Sequence, residues 1–168
     1  MKHNECELNI PYPPIEVEEK NFRYAQLLLE DYAGPNGELT ALTQYFYQYL
    51  ITQNQYSDFA DQMECISIVE MKHMEILGKL IVLLGGNPFY GTYDCGKYTF
   101  WSGYNISTTE NIRNFLMENI EGEKLAIQAY LKHISEIKDC KIREILKRII
   151  KDEENHIRIF NSYLKYFE

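Results

Sequence analysis

The chain has 168 residues, a length that fits one domain, and its 45% hydrophobic and 25% charged residues supply an ordinary globular core. A net charge of −8 argues against general binding to nucleic acid or anionic membranes, both of which reward positive charge. The longest apolar stretch, ILGKLIVLLGG, is interrupted by Lys79 and too short for a bilayer, and MKHNECELNI lacks a secretory apolar segment, so a cytoplasmic protein with no membrane partner is expected.

Residues 1–16 hold three of the five prolines and are expected to form an extended arm. A helical pattern follows from about Glu18 to Ala33, with Phe22, Ala25, Leu28 and Leu29 as its apolar side, until Gly34-Pro35 breaks it. The pattern resumes from about Gly37 to Thr52, and the two pieces count as one interrupted first helix. After the polar turn TQNQYS, a second helix is expected from about Asp58 to Leu84, ended by Gly85-Gly86-Asn87-Pro88. Residues 86–107 are rich in Gly and aromatics, show no sustained period and read as a long crossover loop. STTE at 107–110 has the form of a capping box and opens a third helix to about Lys138. The chain turns near Asp139-Cys140, and a last helix runs to the end. Short, long and short connections between four long helices predict an all-α four-helix bundle, two antiparallel pairs joined by a crossover, in a single domain over 1–168. Cys6, Cys65, Cys95 and Cys140 are scattered without a C-x-x-C pair and are expected to be reduced thiols.

The second helix carries a 4-3 stripe of Phe59, Met63, Ile66, Glu70, His73, Leu77, Leu80 and Leu84. The fourth repeats it at a constant offset of 83 with Ile142, Leu146, Ile149, Glu153, His156, Phe160, Tyr163 and Phe167. Such positions form the inward face of a helix, so a Glu and a His sit mid-core in each. The other two helices share G-E-x-x-A-x-x-x-Y, at GELTALTQY (37–45) and GEKLAIQAY (122–130). In the third helix the stripe is Ile112, Leu116, Asn119, Glu123, Ala126, Tyr130, Ile134 and Ile137, which includes Glu123 and leaves out Glu118 and Glu121. Glu38 and Glu70 are 32 residues apart, Glu123 and Glu153 are 30 apart, and each pair comes level in an antiparallel hairpin.

Four carboxylates and two imidazoles therefore converge at mid-height. Burying the carboxylates uncompensated would cost several kcal/mol each, so they must protonate or find cations. Two divalent ions balance four negative charges, and oxygen-plus-imidazole ligation suits iron or manganese. The predicted metal residues are Glu38, Glu70, His73, Glu123, Glu153 and His156, holding two Fe or two Mn ions per chain. Tyr45 and Tyr130 lie seven residues past Glu38 and Glu123 on the same face. They are either core aromatics with satisfied hydroxyls or residues that act on the ligands. Asn119 is a weaker candidate for the latter, while His3 and His133 are expected to be solvated.

YAGPNGELTALTQY (32–45), VEMKHMEILG (69–78), NIEGEKLAIQAY (119–130) and KDEENHIRIF (151–160) resemble the ferritin-like superfamily in its rubrerythrin and manganese catalase branch. The similarity runs from about Phe22 to the end and implies a ferritin-like four-helix bundle. It implies a di-metal oxidoreductase acting on hydrogen peroxide, like a catalase or a rubrerythrin-type peroxidase. In that reading Glu70 and Glu153 bridge the metals, Glu38 and Glu123 are terminal ligands, and His73 and His156 each bind one ion. Peroxide or dioxygen would be the substrate, with an external electron donor where the cycle needs one, in a homo-oligomer of two or more chains. The alternatives within the resemblance are a ferroxidase or iron-storage protein and a spore-coat-type structural relative of manganese catalase. Two departures stand out: Ala126 occupies the position of a second rubrerythrin glutamate, and no C-x-x-C marks a rubredoxin-like segment.

Overall fold

A computed structural model describes residues 6–167. Among them are five α-helices: α1 (Phe22–Ala33), α2 (Glu38–Thr52), α3 (Ser57–Leu83), α4 (Ile112–Glu136) and α5 (Cys140–Tyr166). α1 and α2 are the two pieces of the interrupted first helix, so the architecture is the expected all-α four-helix bundle. α2 pairs with α3 and α4 with α5, while α1 packs on α3 and α4.

The break between α1 and α2 is built on close backbone approach. A Cβ on Gly37 would lie 2.4 Å from the Asp31 carbonyl oxygen and 2.7 Å from that of Glu30. Only glycine lets α2 start this near the end of α1. α3 ends as its Gly-rich tail predicts. Gly85 takes a φ of 89°, and the Gly85 and Gly86 amides donate to Val82 and Ile81, a Schellman closure.

The crossover contains a hairpin that the sequence reading did not anticipate. β1 (Gly91–Asp94) pairs antiparallel with β2 (Lys97–Phe100), and Cys95 and Gly96 turn with positive φ. The start of α4 also differs from expectation. Its cap is Asn111, whose side chain accepts from the Asn114 amide, and not the STTE box. Ser107 is held upstream instead: its backbone amide and carbonyl both bond the Gln44 side chain on α2. At the expected turn, Asp139 caps α5, accepting from the Lys141 and Ile142 amides.

All eight stripe residues of α3 are buried, as are the first seven of α5, with Phe167 half-buried. Phe22, placed on the apolar side of α1 by its spacing, instead stands 56% exposed beside the hairpin. The cysteines depart from expectation as well. Cys6 and Cys65 form a disulfide, which fastens the segment before α1 to α3, whereas Cys95 and Cys140 are free, exposed thiols. No helix among the described residues is long and apolar enough to cross a membrane.

Candidate metal centre

α3 and α5 each bring a Glu and a His three residues later to one level, where the i, i+3 spacing puts both on one face. Within each helix the pair touches: Glu70 Oε2 lies 3.0 Å from His73 Nδ1, and Glu153 Oε2 lies 3.0 Å from His156 Nδ1. Across the helices the pairing is crossed. Glu70 Oε1 is 2.9 Å from His156 Nδ1, and Glu153 Oε1 is 3.0 Å from His73 Nδ1. Each of these two carboxylates therefore reaches toward both histidines.

Glu38, on the first turn of α2, adds an oxygen 3.7 Å from His73 Nδ1, and Glu123 on α4 adds one 3.5 Å from His156 Nδ1. Two overlapping groups result, Glu38–Glu70–His73–Glu153 and Glu70–Glu123–Glu153–His156, each with its ligand atoms within 4.8 Å of one another. The shared members are Glu70 and Glu153. All six side chains are buried. Glu121 is exposed on the far side of α4.

Whether cations fit can be tested on the polar atoms. Glu70 Oε1 and Glu153 Oε1 are buried, lie close to an opposing ring nitrogen, and yet are out of line to accept a hydrogen bond. A buried carboxylate oxygen without a donor is costly unless a cation satisfies it. These are the two oxygens of the crossed pairs, so the donor set has acceptor capacity left over at its centre, and it suits hard or borderline divalent ions.

With no metal bound, the buried charges of the cluster raise the proton affinity of several of its members. Burial, helped by the charges of Glu153 and Glu70, raises the Glu38 carboxyl well above the usual range. Burial and the charges of Glu70 and Glu153 push Glu123 up to about 8. Burial acts the same way on Glu70, but the His156 and His73 rings overcome it and hold Glu70 well below a normal carboxyl. Burial would lower both histidines. Their carboxylate neighbours, led by Glu153 at His73 and by Glu70 at His156, outweigh it and raise them. Raised proton affinity at Glu38, Glu123 and both imidazoles therefore falls at the positions where divalent ions would bring positive charge.

The tyrosines sit across from their own motifs. Tyr45 on α2 donates to Glu123 Oε1 on α4 at 2.7 Å, and Tyr130 on α4 donates to Glu38 Oε1 on α2. Burial and the facing carboxylates push both phenols well above their ordinary range, so they remain donors. Asn119 does not reach Glu123; it exchanges hydrogen bonds with Gln48. A cavity of about 290 Å³ opens beside Glu38 and Glu123 and is lined by Ala41, Gly122 and Ala126 among others. Ala126 thus borders open space where a longer side chain would project.

Several residues were missed from the sequence. His133 is buried, not solvated. Its Nδ1 bonds Asp31 at 2.8 and 2.9 Å, and its Nε2 lies 3.2 Å from Glu30. Burial pushes Asp31 up to about 6 despite that histidine. Asp152, beside Glu153, lies 3.3 Å from His73 Nε2. Tyr12 and the Cys6 carbonyl approach the histidines from the segment before α1. His3 lies outside the described residues.

Comparison with known proteins locates this arrangement among relatives. A ferritin-like domain model matches residues 35–168. A protein described as a probable manganese catalase from Clostridium acetobutylicum is 29% identical, over 89% of this chain and 74% of the relative. The bacterioferritin of Desulfovibrio desulfuricans is 30% identical over 74% of this chain and 66% of its own length. Among solved structures, a manganese catalase from Anabaena superposes with a TM-score of 0.85 at 25% identity, covering 96% of this chain and 80% of that one.

Proposed function

The chain belongs to the ferritin-like domain family, and from that premise we propose that it is a di-metal oxidoreductase acting on hydrogen peroxide. The observation that carries the proposal is the crossed pairing of Glu70 and Glu153 with both histidines, each leaving one buried oxygen without a donor. In this reading Glu70 and Glu153 would be shared by two ions; Glu38 and His73 would help hold one, and Glu123 and His156 the other. When bound, two manganese or two iron ions supply the two-electron redox change that O–O cleavage requires.

The chain's own residues do the rest. Tyr45 and Tyr130 hold the terminal carboxylates in place by donating to Glu123 Oε1 and Glu38 Oε1 from the opposite helix. Glu38 and Glu123 both border the cavity, so the terminal carboxylates face the side from which substrate would enter. The cavity at Ala41, Gly122 and Ala126 admits a molecule as small as peroxide from the α2–α4 side. Manganese catalase relatives supply the class of reaction.

Iron oxidation and storage is the second reading, favoured by the bacterioferritin relative. Reconstitution with manganese and with iron separately decides between them. The proposal expects oxygen release or reductant-dependent peroxide loss from at least one loaded form. A mineral core of many irons per chain, with negligible peroxide turnover for either metal, would replace it with the storage reading.

A further inference from the structure

The two histidines are held from outside by one short piece of chain. His156 Nε2 lies 3.1 Å from the Cys6 carbonyl oxygen, and His73 Nε2 lies 3.0 Å from the Tyr12 hydroxyl. A carbonyl can only accept, so His156 must carry its proton on Nε2 and turn Nδ1 toward the carboxylates. Tyr12 reaches the same result at His73 by a different route. Its hydroxyl donates to Asp152 Oδ2 at 2.5 Å, which leaves its oxygen to accept from the ring. Asp152 Oδ2 also lies 3.3 Å from that Nε2.

The segment is anchored at both ends and between. Cys6 is bonded to Cys65 on α3. Arg148 donates to the Leu8 and Ile10 carbonyls at 2.9 and 2.8 Å, and the Leu8 amide donates to Asp152 Oδ1 at 3.0 Å. Arg148 and Lys72 stack over the Tyr12 ring at 4.3 and 4.6 Å. The disulfide is the only covalent anchor among these, and it lies immediately beside the carbonyl that faces His156.

We propose that Cys6–Tyr12 is a positioning clamp that sets the ring orientation of both His73 and His156 and holds a proton on each Nε2, and that the Cys6–Cys65 disulfide is its lock. This rests on the metal-site reading for its consequence, which is tighter retention of both ions, but the clamp itself is a property of the metal-free chain. A dithiol that reaches the half-buried Cys65 sulfur opens the lock. It passes two electrons and two protons to the sulfur pair, giving two thiols, and leaves as its own disulfide. The hold on the histidines then depends on the redox state of one bond.

The test compares native protein, dithiol-reduced protein, Cys65→Ser and Tyr12→Phe, the last removing only the hydroxyl. The first readout is solvent exchange of the two histidine Nε2 protons in metal-free protein, followed by nitrogen-15 NMR. The second is the rate at which a chelator extracts manganese(II) from loaded protein. Opening the disulfide, by reduction or by Cys65→Ser, should speed exchange at His156 most. Tyr12→Phe should speed it at His73 and leave His156 unchanged. Each change should weaken metal retention by about 10–100-fold. Native exchange at both rings in Cys65→Ser and in Tyr12→Phe would overturn the clamp. Altered exchange in a protein that binds neither manganese nor iron would uphold the clamp and overturn the metal-site reading.

Discussion

Glu121 and Glu123 are two positions apart on α4, about 200° around the helix, so only one can face the core. Glu123 is buried against His156 and bonded by Tyr45, while Glu121 is exposed. Glu123→Ala should lose one of two ions per chain, and Glu121→Ala should keep both; metal analysis of the two purified variants checks this. The reverse pattern would show that another register supplies the α4 ligand. Tyr45→Phe should lower metal affinity by about 10–100-fold without unfolding the chain, read by chelator competition. The six candidate ligands were legible in the sequence because they interrupt apolar stripes of known period. His133, Asp152 and Tyr12 were not, for a common reason. A stripe describes only the face toward the bundle axis, whereas His133 faces α1, and Asp152 and Tyr12 meet behind His73. The disulfide was illegible because it depends on the arm folding back over α3, a contact between residues 59 apart.

At the scale of elements, glycine and proline marked the helix ends well because their effect is local. Gly37 is the clearest case, and Gly122 is its counterpart in the repeated G-E motif only by sequence. A Cβ on Gly122 meets nothing within 4 Å, whereas one on Gly37 strikes the Asp31 carbonyl. Gly37→Ala should therefore cost about 1–3 kcal/mol in denaturant unfolding, the range for forced overpacking. Asn111→Ala should cost about 1 kcal/mol by removing the α4 cap. Ser107→Ala should stay within about 0.5 kcal/mol, because Gln44 holds its backbone and not its hydroxyl. An equal loss in both variants would restore the STTE box as the cap. The hairpin escaped the sequence reading because period 2 shows only where one face is buried. Every residue of β2 is exposed, so no in–out alternation was imposed on it.

Across the whole molecule, the buried charge cluster ties stability to pH and metal. In the metal-free chain Glu123 is raised to about 8 from an ordinary 4.5. The fold therefore favours its proton, and that contribution is full below about 4.5 and lost as pH climbs through about 8. His73 and His156, also raised, act in the same direction above their ordinary 6.5. Glu70 is depressed, and its opposite effect falls at acid pH, outside this window. Metal ions replace those protons, so the gap in thermal midpoint between loaded and metal-free protein should widen from pH 6 to pH 8. A gap that stays constant or narrows would contradict this assignment of the protons. The most direct test of the account is the number of ions held. Fully loaded native protein, assayed by elemental analysis against chain concentration, should contain two manganese or two iron ions per chain, and Glu70→Ala, which removes a shared ligand, should lose both. At most one ion per chain in the loaded native protein would contradict the paired site.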